Sequence, residues 1–438
     1  MDFIQILADQ RAERDALPFD TYCPRKQLQQ LELDSPLAQV VIGLRRSGKT
    51  TLCHQALHNA GVAYAYVNFD DENLASLKAS ELNGVLKAAY VVYGDFSHVF
   101  LDEIQNIDGW ELFVNRLLRQ GLHVLLTGSN SHLLSEELGT HLTGRYKEIE
   151  LLPLSFAEFL DFSHLPCDIQ TTRGQAVCLE AYQRYALAGG LPESHRVSDR
   201  RSYMKTLYNA ILFKDVTRRY NVRYPKVLAS LSAVLMNNFC REINYAEISK
   251  ALEVKGIHTI QNYTAYMERA FLIRLLPKFS FKPLRRHQDE KCYLLDMGML
   301  TVFSGVTASG DNLGWRMENL VFLKLYAGRA VGGYELFYWK NGSEVDFVLT
   351  RGQRALSLIQ VAYDISAPKT RQREINALLK ASEKLRCDDL WLVTLTEKGT
   401  YMQDGRSVRI LPVVDFLLGR NGAAEQCRAV SADAAGMG

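Results

Sequence analysis

The chain lacks any run of 18 or more apolar residues, so no membrane-spanning helix is expected from its 438 residues. It also lacks a C-x-x-C pair. None of its eight cysteines, Cys23, Cys53, Cys167, Cys178, Cys240, Cys292, Cys387 and Cys427, pairs with a histidine at zinc-ligand spacing. They read as free thiols in a reducing compartment. The N-terminal stretch MDFIQILADQRAERD has neither the long apolar segment nor the small-residue cleavage site of a signal peptide, and the expected localisation is cytoplasmic. An apolar content of 47% with 23% charged residues excludes a disordered chain or a coiled coil. The length suits two or three domains.

What is present is unevenly distributed. The net charge is only +2, yet residues 196–295 hold 19 Lys and Arg against 8 Asp and Glu. The rest of the chain holds 32 against 41. One strongly basic segment on an acidic background is a candidate polyanion surface; a solvated basic face without a partner is the alternative.

The first third carries the most specific signal. An apolar, β-branched run, 39–44, reads as a buried strand and leads into Gly43-Leu-Arg-Arg-Ser-Gly48-Lys49-Thr50, followed by an apolar helix from Thr51. This is the G-x-x-x-x-G-K-[ST] phosphate loop in the strand–loop–helix context it requires. Gly43 and Gly48 let the backbone turn so that successive N–H groups face phosphate oxygens, and the helix N-terminus adds its dipole. Lys49 is expected on the β- and γ-phosphates and Thr50 on Mg²⁺. Arg46, Ser47 and Thr51 complete the candidate nucleotide-binding set, with Arg45 beside them.

A second apolar strand, 98–102, ends in Asp102-Glu103. Asp102 is assigned to the metal and Glu103 to the attacking water, on a strand expected beside that of the phosphate loop. A third strand, 122–127, ends in Gly128-Ser129-Asn130, and either Ser129 or Asn130 is placed to orient that water. A strand over 63–69 and helices around 81–91 and 110–119 alternate with these, which indicates a parallel α/β sheet with helices on both faces. Arg145, before a strand at 146–152, is a candidate arginine finger in cis or from a neighbouring subunit.

GLRRSGKTTL, VFLDEIQN, LLTGSN, LTGRY and LLPLSFAEFL, followed by ALAGGLPE and ILFKDVTRRY, resemble the bacterial and archaeal AAA-like ATPases that carry a C-terminal domain of unknown function. The resemblance spans roughly residues 20 to 418. It implies an ATPase core, a helical and winged-helix middle and a nuclease-like C-terminal fold. It favours Arg145 as a nucleotide-sensing residue. Because no base-specific guanine motif is present, ATP as the nucleotide rests on this resemblance.

The basic middle reads independently as helix, turn, helix and basic hairpin. A helix capped by Asn244 runs to Leu252 with Ile248 and Leu252 inward. A second runs over 257–270 with Ile257, Ile260, Tyr263 and Met267 inward. Strands at 271–279 and 291–295 flank the tip Lys282-Pro-Leu-Arg285-Arg286-His287. That is a winged-helix layout. In nucleic-acid binding, His258, Gln261 and Asn262 would face a groove while Lys282, Arg285 and Arg286 hold phosphates.

In the last third, a helix over 315–326 carries Glu318. Strands at 334–339, 344–349 and 356–361, a helix at 370–384 and a strand at 389–394 follow. The pattern resembles the PD-(D/E)XK nuclease fold, with Glu318, Asp346 and Gln360 at the acid positions. Ala362 stands where that chemistry needs a lysine. Lys340 or Lys369 is a candidate migrated lysine. A structural or nucleic-acid-binding module is expected rather than an active nuclease.

The expected fold is thus α/β: an ATPase domain over 1–165, a helical and winged-helix domain over 166–305, and a nuclease-like domain over 306–420. A disordered tail is expected over 421–438. The expected activity is Mg²⁺-dependent ATP hydrolysis in a switch or motor acting on nucleic acid, with no membrane partner. A scaffold ATPase gating a protein partner, an ATP-dependent nuclease and a homo-oligomer remain open.

Overall fold

The computed structural model describes residues 2–129, 142, 144–282, 289–303 and 312–419. Asn130, Arg285, Arg286, His287 and the tail 421–438 lie outside the described residues. The chain divides into two compact units, the first ending at Pro153 and the second beginning at Leu154, with 269–271 grouped with the first.

The first unit opens with helix α1 (Phe3–Asp15), whose N-terminus is capped by the Asp2 carboxylate. It then alternates strand and helix: β1 (Ala38–Ile42), α2 (Lys49–Ala60), β2 (Tyr64–Asn68), α3 (Leu82–Tyr93), β3 (His98–Asp102), α4 (Trp110–Arg119), β4 (His123–Gly128) and β5 (Tyr146–Glu150). All pairings are parallel, in the order β2-β3-β4-β1-β5. The central strands β1 and β3 are buried along their whole length, as continuous apolar runs in a doubly covered sheet must be. Val41, Leu52, Phe100, Leu125 and Ile149 pack into one core. One expectation is corrected. The Asp102 strand is not beside the phosphate-loop strand, because β4 lies between β3 and β1.

The second unit begins with α5 (Phe156–Phe162), started by a Ser155–Glu158 capping box. α6 (Thr172–Ala188), α7 (Arg200–Ala210), α8 (Pro225–Asn237), α9 (Tyr245–Ala251) and α10 (Ile257–Arg269) follow. A π-helical stretch, Ile211–Arg218, continues directly from α7. β6 (Ile273–Pro277) and β7 (Glu290–Leu294) form an antiparallel pair. Asn244 caps α9 by accepting from the Glu247 N–H, as its position in sequence suggests. Ile260, Tyr263 and Met267 are buried on α10, but Ile257 is 43% exposed. It sits in the first turn of α10, where the helical period no longer meets a partner surface. A second correction concerns the thiols: Cys167 and Cys178 form a disulfide, with Cα atoms 5.2 Å apart. It ties the segment before α6 to that helix, while Cys23, Cys53, Cys240, Cys292 and Cys387 are not disulfide-bonded.

The unit closes with α11 (Leu313–Gly332), β8 (Glu335–Lys340), β9 (Glu344–Arg351), β10 (Arg354–Val361), α12 (Pro368–Leu385), β11 (Leu390–Thr394), β12 (Gly399–Gln403), β13 (Arg406–Pro412) and α13 (Val413–Leu418). Its mixed sheet runs β12-β13-β11-β10-β9-β8. β8, β9 and β10 form an antiparallel meander with a turn at Gly342, where φ is +75°. β10, β11 and β13 are parallel. Val348, Leu358, Ile375, Leu378 and Leu392 pack between this sheet and α12. No helix among the described residues is long and apolar enough to cross a membrane.

Candidate functional site

The phosphate loop joins β1 to α2. Gly43 has φ +150°, and a Cβ there would lie 2.2 Å from the Leu151 carbonyl oxygen, so only glycine fits. Gly48 is left-handed at the N-cap of α2 and leaves that helix end without a side-chain cap. Lys49 is buried, and its ammonium donates to the Gly43 and Leu44 carbonyls at 3.1 and 3.2 Å. Those bonds hold the side chain folded over its own loop. Ser47 is fully buried, Thr51 is half-buried, and Arg46 is exposed at a positive φ of 67°. Arg45 reaches Asp70 at 3.5 Å. The sequence reading missed Arg25, whose buried guanidinium donates to the Ser47 carbonyl at 3.1 Å and the Leu152 carbonyl at 2.7 Å. It braces the loop against the chain leaving β5.

Thr50 donates to both carboxylate oxygens of Asp102, at 3.1 and 2.9 Å. Thr127 and Tyr66 also donate to Asp102, which is 4% exposed. Burial, followed by the neighbouring Glu103 charge, pushes Asp102 up to about 6, although the threonine hydroxyls and Lys49 pull the other way. Such a carboxylate gains from a nearby cation. The surrounding oxygens form the hard donor set that Mg²⁺ takes, so these residues fit the ion. Glu103 adopts a left-handed conformation with φ +52°. Its N–H donates to Thr127 at 3.1 Å, and its carboxylate accepts from Gln105 and from Ser129 at 3.3 Å. Of the two polar residues after β4, Ser129 therefore meets Glu103, while Asn130 is outside the described residues. Thr127 and Gln105 were not singled out from sequence. Thr127 sits one strand away from the acidic pair, and only the order β3-β4 joins them.

Arg145 is exposed, and its carbonyl accepts from the Ala38 N–H at 3.0 Å just before β5. β5 runs parallel to β1 with Tyr146 opposite Ala38, so Arg145 lies at the edge where β1 begins. The phosphate loop lies beyond the other end, roughly 20 Å along the strand at 3.3 Å per residue. An arginine side chain does not span that gap, and the geometry closes the in-cis alternative for Arg145.

In the second unit, His258, Gln261 and Asn262 are all exposed on α10, and His258 Nδ1 lies 3.1 Å from Gln261 Oε1. Lys282 is exposed, and its N–H donates to Ser280 Oγ at 3.2 Å.

The expected acid positions do come together. Asp346 on β9 and Glu318 on α11 meet across the buried ammonium of Lys291, at 3.5 and 3.4 Å, and Glu344 lies 2.6 Å from the same Nζ. Gln360 accepts from the Asp346 N–H at 3.2 Å and donates to Glu374 at 3.0 Å. Asp346 also accepts from the Val361 N–H at 3.0 Å, and Glu318 from Tyr293 at 2.7 Å. Ala362 is buried, and its N–H donates to the Val393 carbonyl. Of the two lysines proposed as migrants, Lys340 reaches Glu344 at 3.6 Å and Glu242 at 2.7 Å on the exposed rim, and Lys369 is exposed at the start of α12. The lysine among the acids is Lys291, on β7, which neither motif nor spacing identified. Burial alone would lower its pKa, but Glu318, Asp346 and Glu344 outweigh that and hold it well above the ordinary lysine value. Burial raises Glu318 and Asp346, with Lys291 opposing in each case.

Comparison with known proteins gives three family matches: an AAA domain over residues 35–160, and domains of unknown function over 179–310 (DUF8612) and 313–416 (DUF4143). An uncharacterized protein of Methanocaldococcus jannaschii, MJ1544, is 35% identical over 375 residues, 82% of each chain. An uncharacterized protein of Haemophilus influenzae is 27% identical over 401 residues, 88% of this chain and 95% of its own. Among solved structures, the Walker-type ATPase paby2304 of Pyrococcus abyssi is similar with a TM-score of 0.45 and 17% identity, covering 65% of this chain and 96% of that one. The AMPPCP-bound DnaA of Aquifex aeolicus gives a TM-score of 0.24 and 15% identity, over 56% of this chain and 85% of its own.

Proposed function

Taking as premise that this chain belongs to the AAA-like P-loop ATPases with a C-terminal DUF4143 domain, we propose that it hydrolyses ATP with Mg²⁺ and acts as a switch or motor on nucleic acid. The observation that carries the hydrolytic half is the Thr50–Asp102 contact at 2.9 Å, with Glu103 one residue on and held by Ser129 at 3.3 Å. Bound Mg²⁺ would neutralise charge on the reacting phosphate oxygens. Thr50 and Asp102 would hold it, and Asp102 would then stay ionised through neutral pH. Lys49 exchanges its two carbonyl contacts for phosphate oxygens. Glu103 orients and deprotonates a water, and the hydrogen bonds from Gln105 and Ser129 fix its carboxylate for that task. Arg145 acts on the nucleotide of a neighbouring copy, the alternative its position leaves open, so this reading includes a homo-oligomer. The protein works in the cytoplasm, where ATP is available.

The nucleic-acid half rests on the basic segment 196–295 and on the exposed row His258, Gln261 and Asn262. We read α9, α10 and the β6–β7 hairpin as a winged helix that takes nucleic acid. The C-terminal sheet we read as a PD-(D/E)XK-like module without nuclease activity. Ala362 gives no water-activating cation, and Lys291 already occupies the centre of the acids.

The test is steady-state ATP hydrolysis with and without single- and double-stranded DNA, at low and high salt, with Glu103→Gln as control. DNA stimulation that disappears at high salt is expected. Turnover indifferent to DNA refutes the nucleic-acid half and points to gating of a protein partner. Turnover undiminished in Glu103→Gln refutes the hydrolytic assignment.

A further inference from the structure

The sheet edge opposite the phosphate loop carries a cluster that nucleotide chemistry does not use. His98 opens β3, His123 opens β4, and the two residues are register partners. Asp34 lies in the turn leading to β1. One ring nitrogen of each histidine and one Asp34 carboxylate oxygen lie within 4.8 Å of one another. His98 Nε2 is 3.9 Å from the Asp34 carboxylate. That nitrogen is buried and makes no hydrogen bond. Burial disfavours a charged His98 ring, while the Leu33 backbone favours a proton on it.

We propose that Asp34, His98 and His123 form a binding site for one divalent transition-metal ion, with zinc as its natural occupant. The orientation of the rings supports this. His123 Nδ1 lies 3.1 Å from the Ser35 carbonyl, which can only accept, so Nδ1 carries the proton and Nε2 keeps a lone pair. His98 Nδ1 lies 2.9 Å from the Ser97 hydroxyl, and donation to it leaves the orphaned Nε2 as a ligand too. Second partners of this kind fix the tautomers of metal-binding histidines. The ring centroids are 4.8 Å apart, with the ring planes tilted by 32°. Two imidazoles and one carboxylate suit zinc and its neighbours rather than Mg²⁺ or Ca²⁺, with water in the fourth position. Ligand atoms around tetrahedral zinc stand about 3.3 Å apart. Asp34, whose side chain is 93% exposed, can swing inward to bring its carboxylate onto the ion. Ion entry is from solvent, past Asp34 to the buried His98. An ion there joins the lead-in to β1 to the first residues of β3 and β4. It therefore acts on the stability of the ATPase sheet and not on the phosphates at its far edge.

The experiment uses the full chain, stripped with chelator, reduced and held in excess Mg²⁺ to occupy oxygen-only sites. Zn²⁺ binding is followed by calorimetry, Co²⁺ by its visible absorption, and melting temperature with and without Zn²⁺. Wild type is expected to take one equivalent and to melt higher with Zn²⁺. His123→Ala and Asp34→Asn should bind at least about tenfold more weakly and lose the thermal shift, because removing a ligand costs at least the roughly 10–100-fold of a change in an outer-shell partner. Asp34→Asn changes an exposed side chain and keeps the test valid if a histidine variant folds poorly. Absence of binding in wild type overturns the proposal. So does binding of equal strength in wild type and Asp34→Asn, which would place the metal elsewhere, for example on a free cysteine.

Discussion

Replacing Lys291 with methionine keeps the length and apolar stem of the side chain and removes only the charge. The Lys291 side chain is 3% exposed, and its three carboxylate partners are exposed by 12% (Glu318), 8% (Asp346) and 37% (Glu344). Solvent screens the share owed to Glu344, so the penalty falls on the two deeper acids. Removing one partner of a buried ion pair typically costs about 3–5 kcal/mol, and that is the expected loss near pH 8. The pH dependence has a definite sign. Glu318 and Asp346 have raised folded-state pKa values relative to their ordinary 4.5 and 3.8. The folded chain therefore binds more protons than the unfolded chain between those ordinary values and the raised ones, and stability falls as pH rises through that window. Lysine opposes both shifts, so its loss moves the window further up. The difference between wild type and Lys291→Met is thus largest at high pH and shrinks as pH falls and the two acids take up protons. Urea denaturation at pH 5 and pH 8 measures it. Adding Asp346→Asn to Lys291→Met should recover most of the loss at pH 8. A penalty below about 1 kcal/mol at pH 8, or one equal at both pH values, would refute the claim that Lys291 neutralises this cluster.

Further outcomes follow from the same geometry. Lys49→Ala should abolish ATP turnover, and Glu103→Gln should bind a fluorescent ATP analogue at wild-type strength while turning over at least a hundredfold more slowly, roughly the scale of general-base catalysis. Gly43→Ala places a methyl 2.2 Å from the Leu151 carbonyl oxygen, so it should cost about 2–4 kcal/mol in denaturation and weaken analogue binding; unchanged values for both would contradict the loop's placement. Arg145→Ala and Lys49→Ala proteins, each inactive alone, should regain partial turnover when mixed, since each supplies what the other lacks across a subunit boundary. No recovery in a mixture shown to co-assemble would remove Arg145 from the site.

What was legible in the sequence was what is local in the chain. The phosphate loop occupies eight consecutive residues, and the acid pair ends one short strand, so chemistry and spacing sit in a single window. β1, β3 and β4 were legible because a doubly covered parallel strand is an unbroken apolar run. β12 and β13 escaped notice because their residues are largely exposed or half-buried and carry no apolar alternation. The strand order was out of reach as well, since no feature of β3 or β4 states which lies beside β1. That order nevertheless decides what surrounds Asp102. With β4 interposed, Thr127 rather than a β1 residue donates to Asp102, and Ser129 comes to Glu103. Arg25 braces a loop 22 residues away through backbone carbonyls, a partner type that leaves no mark on the other segment's sequence.

Lys291 sharpens the same point about chemistry. A nuclease reading looks for a lysine two residues after Gln360 and finds Ala362. Composition then offers Lys340 and Lys369 as the nearest substitutes in the chain. The lysine that fills the cluster belongs instead to β7, 27 residues before Glu318 and 55 before Asp346. A water-activating lysine must leave room for a metal and its water between itself and the acids. Here Nζ lies 2.6, 3.4 and 3.5 Å from three carboxylates, so the ammonium stands where the metal would. On the nuclease-like reading proposed above, the departure from the motif is more than a missing residue: a fixed ammonium stands among the acids and joins β7 to α11 and β9.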